Sequence, residues 1–241
     1  MKYVLACLLI ILLLANCKKN ASDCRLSRTD LFNGTTVFKS FIYEYDDFGR
    51  IQKITEQNPS VATVYRYYTD SVVALSNRDK HVYFLKNGLA DTSSLTTLNH
   101  PFLSKYFYTY QYNSEGHLVS DRQIITELVN GNTIVDTIWH VYTILNDNLV
   151  KAVEMPSGDE IIFEYRDDLR PTNNFDLPVG SSKFSFLGKP SKNLPSKALR
   201  NGGTVYTMTY EYDDKGNISK YIASYGSPGL VYSYGYSYSC D

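Results

Sequence analysis

"YEYDDFGRI", residues 43–51, decides the fold class of this chain because it occurs more than once. It returns as "YEYDDKGNI" at 210–218 and, more loosely, as "YQYNSEGHL" at 110–118. Tyr43 and Tyr45 are two residues apart, so in an extended segment their side chains point to the same face. The alternation of aromatic and polar residues in each copy therefore predicts a β-strand before the turn.

The four residues after the second tyrosine predict a tight hairpin turn. Asp46 stands at the first turn position, where its carboxylate can accept a hydrogen bond from the backbone two residues on. Gly49 stands where a three-residue hairpin with a bulge requires a positive φ angle. The other copies repeat this chemistry with Asn113 and Gly116, and with Asp213 and Gly216.

The pattern Tyr-x-Tyr-Asp-x-x-Gly resembles the tyrosine–aspartate (YD, or RHS-like) repeat. The wider layout is similar to an uncharacterised family of bacterial lipoproteins with a porin-like, all-β fold. In that family such hairpins bracket a late "SKNLP" loop, which this chain has at residues 191–195. The resemblance covers roughly residues 35–240. It implies a fold and a place in the cell envelope, and it implies no activity, cofactor or catalytic residue.

The composition supports an all-β domain. The chain has 22 Tyr and 11 Phe among 241 residues, and aromatic residues favour strands. No stretch after the leader shows the 3.6-residue apolar period of a helix. We expect an antiparallel up-and-down meander of hairpins, forming a strongly twisted sheet or a partly closed barrel. Because neither strand face offers a continuous apolar band, we expect the sheet to be soluble and not to span a membrane.

The first residues predict the cellular location. Lys2 precedes an apolar run, Val4 to Leu14, that is too short to cross a bilayer and is typical of a signal peptide. The run ends in "LANC", which resembles a lipobox and makes Cys17 the predicted lipidation site. We therefore expect a signal peptide at 1–16 and a lipid-anchored (palmitate-bearing) protein of the cell outer membrane, with its face of the membrane open.

The rest of the chain divides into a tether and one domain. Residues 17–34 are polar and aperiodic, so they are interpreted as the lipidated N-terminus and its tether. Residues 35–241 form the predicted domain, with a long loop at 171–203 where Pro and Gly interrupt the alternation. Cys24 and Cys240 remain near the two ends. An oxidising export compartment permits a disulfide between them, and two unrelated thiols are the alternative.

Two tyrosine stripes are the candidate ligand surface. In each stripe alternate residues share one strand face, where they either stack on a ligand or pack as core under the 171–203 loop. The residues named for ligand stacking are Tyr106, Tyr108 and Tyr110 in the first stripe and Tyr232, Tyr234 and Tyr236 in the second.

Other chemistry is weakly indicated. The four His residues are scattered, and no Cys-x-x-Cys or His-Glu-x-x-His pattern predicts a metal site. The Asp doublets sit at turns, and 24 basic against 25 acidic residues do not favour nucleic acid. We therefore expect no cofactor, no metal and no enzyme activity. The sequence favours a scaffold or binding module for a glycan or an envelope partner. The alternatives are an envelope hydrolase with strand-borne carboxylates and an assembly protein that adds an edge strand to a partner.

Overall fold

The computed structural model describes residues 24–98, 104–129, 132–168, 184–225 and 231–240. The predicted signal peptide and the lipidation site Cys17 lie outside this part of the chain. Among the described residues, strands dominate, and Ser185–Leu187 forms a short 3-10 turn. None of their helical segments is long and apolar enough to cross a membrane.

The described residues form sixteen strands, each antiparallel to the next along the chain. In chain order they are β1 (Cys24–Asn33), β2 (Thr36–Tyr45), β3 (Ile51–Gln57), β4 (Val61–Tyr67), β5 (Ser71–Leu75), β6 (Asp79–Lys86), β7 (Leu89–Thr97), β8 (Ser104–Tyr112), β9 (Leu118–Val129), β10 (Asn132–Leu145), β11 (Asn148–Met155), β12 (Asp159–Tyr165), β13 (Pro195–Arg200), β14 (Gly203–Tyr212), β15 (Ile218–Tyr225) and β16 (Val231–Cys240).

The sheet closes on itself because β1 pairs with β16 as well as with β2. The β1–β16 ladder runs from the pair Cys24 and Cys240 to the pair Asn33 and Tyr232. A disulfide joins the two cysteines at the start of this seam. The expectation of a soluble sheet, open or only partly closed, is therefore wrong as a fold prediction: the architecture is a closed 16-stranded antiparallel barrel.

Period-two alternation sends one set of side chains inside the barrel and the other outside. Tyr43 is 6% exposed and belongs to the main inner cluster, whereas its neighbour Glu44 faces outward. Opposite them on β3, Ile54 pairs with Tyr43 inside, and Lys53 pairs with Glu44 outside. The outer pair is an ion pair, with Lys53 Nζ 2.7 Å from Glu44 Oε1.

One end of the barrel is partly filled by the segment between β12 and β13. Since successive strands alternate in direction, the turns at 46–50, 113–117 and 213–217 all lie at the end where β1 begins and β16 ends. At this end residues 184–194, here called the plug segment, pack against inward-facing side chains. Phe186 of the plug segment is 4% exposed, and Leu194 is fully buried.

Two predicted boundaries need correction. The tether assigned to 17–34 contains β1, which begins at Cys24. A register shift between Leu26 and Arg28 interrupts the alternation of side chains, so the sequence pattern does not indicate this strand. The loop assigned to 171–203 contains β13, which begins at Pro195, a position where a strand tolerates proline. Residues 171–183 of that predicted loop lie outside the described part of the chain.

Candidate binding site on the inner wall of the barrel

Strand register gathers polar and aromatic side chains on the inner wall formed by β6 to β11. Neighbouring strands place Ser93, Tyr108 and Gln123 in one row across the sheet. A second row, one step closer to the plugged end, runs across β8 to β11 and contains Tyr110, Asp121, His140 and Glu154. Together with His81 and Tyr142 these rows make the surface that we call the polar band: His81, Ser93, Tyr108, Tyr110, Asp121, Gln123, His140, Tyr142 and Glu154.

Hydrogen bonds link the first half of the polar band. The Ser93 hydroxyl lies 2.9 Å from His81 Nε2 and 2.9 Å from the Tyr110 hydroxyl. Gln123 Nε2 donates to the Tyr108 hydroxyl at 3.1 Å. These bonds fix the side-chain orientations, so the wall is ordered before any ligand arrives.

Asp121 organises the second half. Its Oδ1 lies 2.9 Å from His140 Nδ1, and its Oδ2 accepts a hydrogen bond from the Tyr142 hydroxyl at 2.5 Å. The other ring nitrogen of His140, Nε2, lies 3.7 Å from Glu154 Oε2. His140 is thus held between two carboxylates, and about half of the Glu154 side chain remains exposed.

Aromatic rings form the flat part of the surface. The His81 and Tyr83 rings stack with centroids 3.9 Å apart, and the His81 and Tyr108 centroids are 5.8 Å apart. Tyr108 and Tyr110 stack nearly parallel at 6.3 Å. Such rings offer apolar faces, while their polar edges hydrogen-bond to neighbours.

Burial sets the protonation states of the band. Desolvation lowers the pKa of His81 to about 4, so its imidazole is neutral at pH 7. Desolvation, partly offset by the hydrogen bond with Ser93, raises the pKa of Tyr110 to about 12. Burial and the adjacent Asp121 carboxylate raise the pKa of Tyr142 far above its ordinary value. At neutral pH the wall therefore offers neutral hydroxyls beside the two acidic residues.

The six tyrosines named from the sequence all face inward, and they divide into two surfaces on different walls. Tyr108 and Tyr110 belong to the polar band, and Tyr106 shares their face on β8. The second stripe is on β16, where Tyr236 is 7% exposed and Tyr234 lies 5.5 Å from the Tyr221 ring. The remaining member, Tyr232, is 40% exposed near the end of the barrel opposite the plug segment.

The predicted turn residues have the geometry that their chemistry suggests. Asp46 Oδ1 accepts hydrogen bonds from the backbone N–H groups of Phe48 and Arg50, at 3.0 and 2.8 Å. Gly49 has a φ angle of +75°. The same bonds and positive φ angles recur in the two sister turns at Asn113 and Gly116 and at Asp213 and Gly216.

His117 is a structural residue that links a turn to the plug segment. It is 2% exposed; its Nδ1 lies 3.2 Å from the Lys189 carbonyl oxygen, and its Nε2 lies 3.0 Å from Asp147 Oδ1. Glu115 is near enough for a metal ion to be considered with His117 and Asp147. The Lys189 ammonium, 3.1 Å from the same Asp147 oxygen, already supplies the positive charge there.

Sequence reasoning missed most of the polar band. Asp121, Gln123, His140 and Glu154 belong to no repeat and no motif. The signal that could have found them is strand register. Once the 110–118 hairpin fixes the pairing of β8 with β9, Asp121 must face the same side as Tyr110.

Comparison with known proteins places the barrel among porin-like folds. A porin-like protein from Bacteroides uniformis superposes with a TM-score of 0.64 at 14% identity, over 89% of this chain and 98% of that one. A porin-like protein from Bacteroides vulgatus gives 0.65 at 17% identity with the same coverage. Identities this low show the fold alone. No family model and no curated protein matches the sequence.

Proposed function

We propose that this chain is a lipid-anchored protein of the cell outer membrane whose barrel binds a saccharide on the polar band, without catalysing a reaction. One observation carries the proposal: stacked rings and oriented polar groups share one inner wall. Flat aromatic faces suit the apolar face of a sugar ring. A few placed polar groups give a binding site its specificity.

The electrostatics of the wall support a polyhydroxylated ligand. Asp121 and Glu154 supply acceptors for sugar hydroxyls, and the Gln123 amide supplies a donor as well. At 16% exposure the Asp121 side chain is partly desolvated, which strengthens hydrogen bonds to it. The second tyrosine stripe contributes less, since Tyr236 is buried in the main inner cluster.

A binding measurement tests the proposal. The purified protein is screened on a glycan array, and each hit is measured by calorimetry with Tyr108→Ala and Asp121→Asn. We expect each variant to weaken binding about tenfold, the effect of losing about 1.4 kcal/mol. Phe107→Ala is the matched control, because Phe107 neighbours Tyr108 on the same strand but is 42% exposed on the outer face. A blank array, or equal losses for Phe107→Ala, contradicts the saccharide site.

The location rests on Cys17. Cys17 precedes the first barrel residue by seven positions, so its acyl chains would tether the plugged end of the barrel to the membrane. Labelled palmitate should appear in the N-terminal peptide of the wild-type protein and should be absent from the Cys17→Ser variant. Absence of label from the wild-type protein, or equal labelling of the Cys17→Ser variant, would contradict lipid anchoring.

An envelope hydrolase is the second candidate, favoured by the two carboxylates on His140. Against it, both ring nitrogens of His140 face carboxylates, so neither faces a hydroxyl or thiol nucleophile. Hydrolysis of a bound glycan that Asp121→Asn abolishes would establish this alternative. The remaining idea, an assembly protein that adds an edge strand, loses its basis because β1 and β16 pair and leave the described sheet without a free edge.

A further inference from the structure

A cavity lies at the plugged end, away from the polar band. It has a volume of about 410 Å³ and lies between the plug segment on one side and β2, β3, β4, β7 and two hairpin turns on the other. This volume is within the ordinary range for small-molecule sites. The plug segment therefore leaves a ligand-sized space where it could have packed directly against the wall.

Aromatic rings form the inner surface of this cavity. The ring centroids of Phe184 and Phe186, both in the plug segment, lie 5.2 Å apart. The rings of Tyr45 and Tyr67 line the opposite side of the cavity. The Tyr45 hydroxyl donates to the Leu26 carbonyl oxygen at 2.7 Å, and the Tyr67 hydroxyl donates to the Ile51 carbonyl oxygen at 2.9 Å. Because both hydroxyls bond the backbone, these rings present apolar surface to the cavity.

Two cations lie at the more exposed part of the lining. The Arg50 side chain is 45% exposed and that of Lys189 is 49% exposed, whereas Phe186 is only 4% exposed. Arg50 lies over the Tyr67 ring at 4.3 Å. Arg50 pairs with the Asp46 carboxylate, and Lys189 pairs with the Asp147 carboxylate. Each cation has additional N–H donors that its carboxylate partner does not use. The lining thus changes from cationic at the surface to aromatic inside.

We propose that this cavity binds a small anion with an apolar body, such as a medium-chain carboxylic acid. Its carboxylate lies against Arg50 and Lys189, and its hydrocarbon chain extends between Phe186 and Tyr67. The guanidinium supplies paired donors suited to a carboxylate. The apolar chain gains free energy by leaving water for the aromatic lining. This site is independent of the polar band and takes a ligand of a different class.

Calorimetry with decanoate on the purified full chain tests the site, with decanol and decyltrimethylammonium as probes of the same chain length. We expect decanoate to bind at least tenfold more tightly than either. Lys189→Gln and Arg50→Gln should each weaken decanoate binding about tenfold. Lys53→Gln is the matched control: Lys53 is on the same hairpin as Arg50, but it pairs with Glu44 on the outer face.

Each outcome decides the proposal. Equal binding of decanol and decanoate, or wild-type affinity in Lys189→Gln, overturns it. A folding defect in Arg50→Gln, seen in its melting curve, leaves Lys189→Gln as the deciding variant. Asp121→Asn should bind decanoate normally, so a loss of saccharide binding and a loss of decanoate binding are separate results.

Discussion

Nε2 of His117 lies 3.0 Å from Oδ1 of Asp147, and these two residues hold the plug segment to the turns of two different hairpins. The same Asp147 oxygen receives the Lys189 ammonium of the plug segment, and His117 Nδ1 contacts the Lys189 carbonyl oxygen. Nearby, the Asn193 backbone N–H donates to the Asn148 side-chain oxygen at 2.8 Å. The position of the plug segment is therefore set by polar contacts at its surface and apolar packing beneath.

The glycine at position 188 is required for this docking. A Cβ atom there would lie 2.8 Å from Tyr112 Cε1 and 3.1 Å from the Gly116 carbonyl oxygen, and the φ angle is +102°. We expect Gly188→Ala to destabilise the plug segment by about 1–3 kcal/mol, from backbone strain and the clash together. Faster limited proteolysis within 184–194 measures this. Gly202→Ala is the control: its φ angle is +80°, nothing lies within 4 Å of the added Cβ, and it lies outside the plug segment, so proteolysis within 184–194 should not change. Equal effects at the two positions would contradict the close contact.

Docking of the plug segment should weaken in acid. Hydrogen bonds with His117 and Lys189 hold the pKa of Asp147 below its ordinary value of 3.8. A lowered folded-state pKa stabilises the folded form above the ordinary value, and that stabilisation is lost as pH falls through the lower folded value. Proteolysis of the plug segment should therefore accelerate below about pH 4. Asp147→Asn should be more susceptible at pH 7 and less dependent on pH; an unchanged pH profile in this variant would refute the assignment.

The free energy of unfolding of the whole barrel should begin to fall at a higher pH than the docking of the plug segment does, because of His81. Its folded-state pKa of about 4 is below the ordinary value of 6.5, so the unfolded chain binds a proton that the folded chain excludes. The resulting loss of stability begins near pH 6.5, grows as pH falls, and is complete below about pH 4. Melting temperature against pH measures it, and His81→Gln should flatten the curve in this window. A His81 titration at 6.5 by NMR would show that its ring is solvated.

The disulfide should contribute substantially to stability. It joins residues separated by 216 positions, so its removal releases nearly the whole described chain in the unfolded state. In the chain-entropy model a loop of this length is worth about 5 kcal/mol. Chemical unfolding of the Cys24→Ser, Cys240→Ser double variant should show a loss of a few kcal/mol, with the barrel still formed. An unchanged unfolding midpoint would indicate that the bridge is absent from the isolated protein.

Local sequence patterns predict the hairpins. They do not predict features that depend on pairing between strands distant in the sequence. The turns at Asp46 and Gly49, and their two sister pairs, were readable because each turn is encoded within nine residues. Barrel closure cannot be predicted in this way, because nothing local in "CRLSRTDLFN" marks β1 as the partner of β16. The bulge in β1 also hides the alternation of its side chains. The alternation of tyrosines predicts that they share one face, and packing as core is one of the two roles that it allows for them. The sequence does not predict the polar band, because Asp121 and His140 come together only through the register of β9 with β10.

A cross-link far from the native disulfide is the most direct test of whether β1 and β16 close the sheet. Asn33→Cys and Tyr232→Cys are introduced together in a Cys24→Ser, Cys240→Ser background, and disulfide formation is measured by mass spectrometry. Asn33 and Tyr232 are paired at the far end of the seam, so a closed barrel predicts efficient cross-linking. The control pair, Asn33→Cys with Tyr206→Cys two strands further on, should remain reduced. Failure of the first pair to cross-link, or equal cross-linking of both, would contradict the closed barrel.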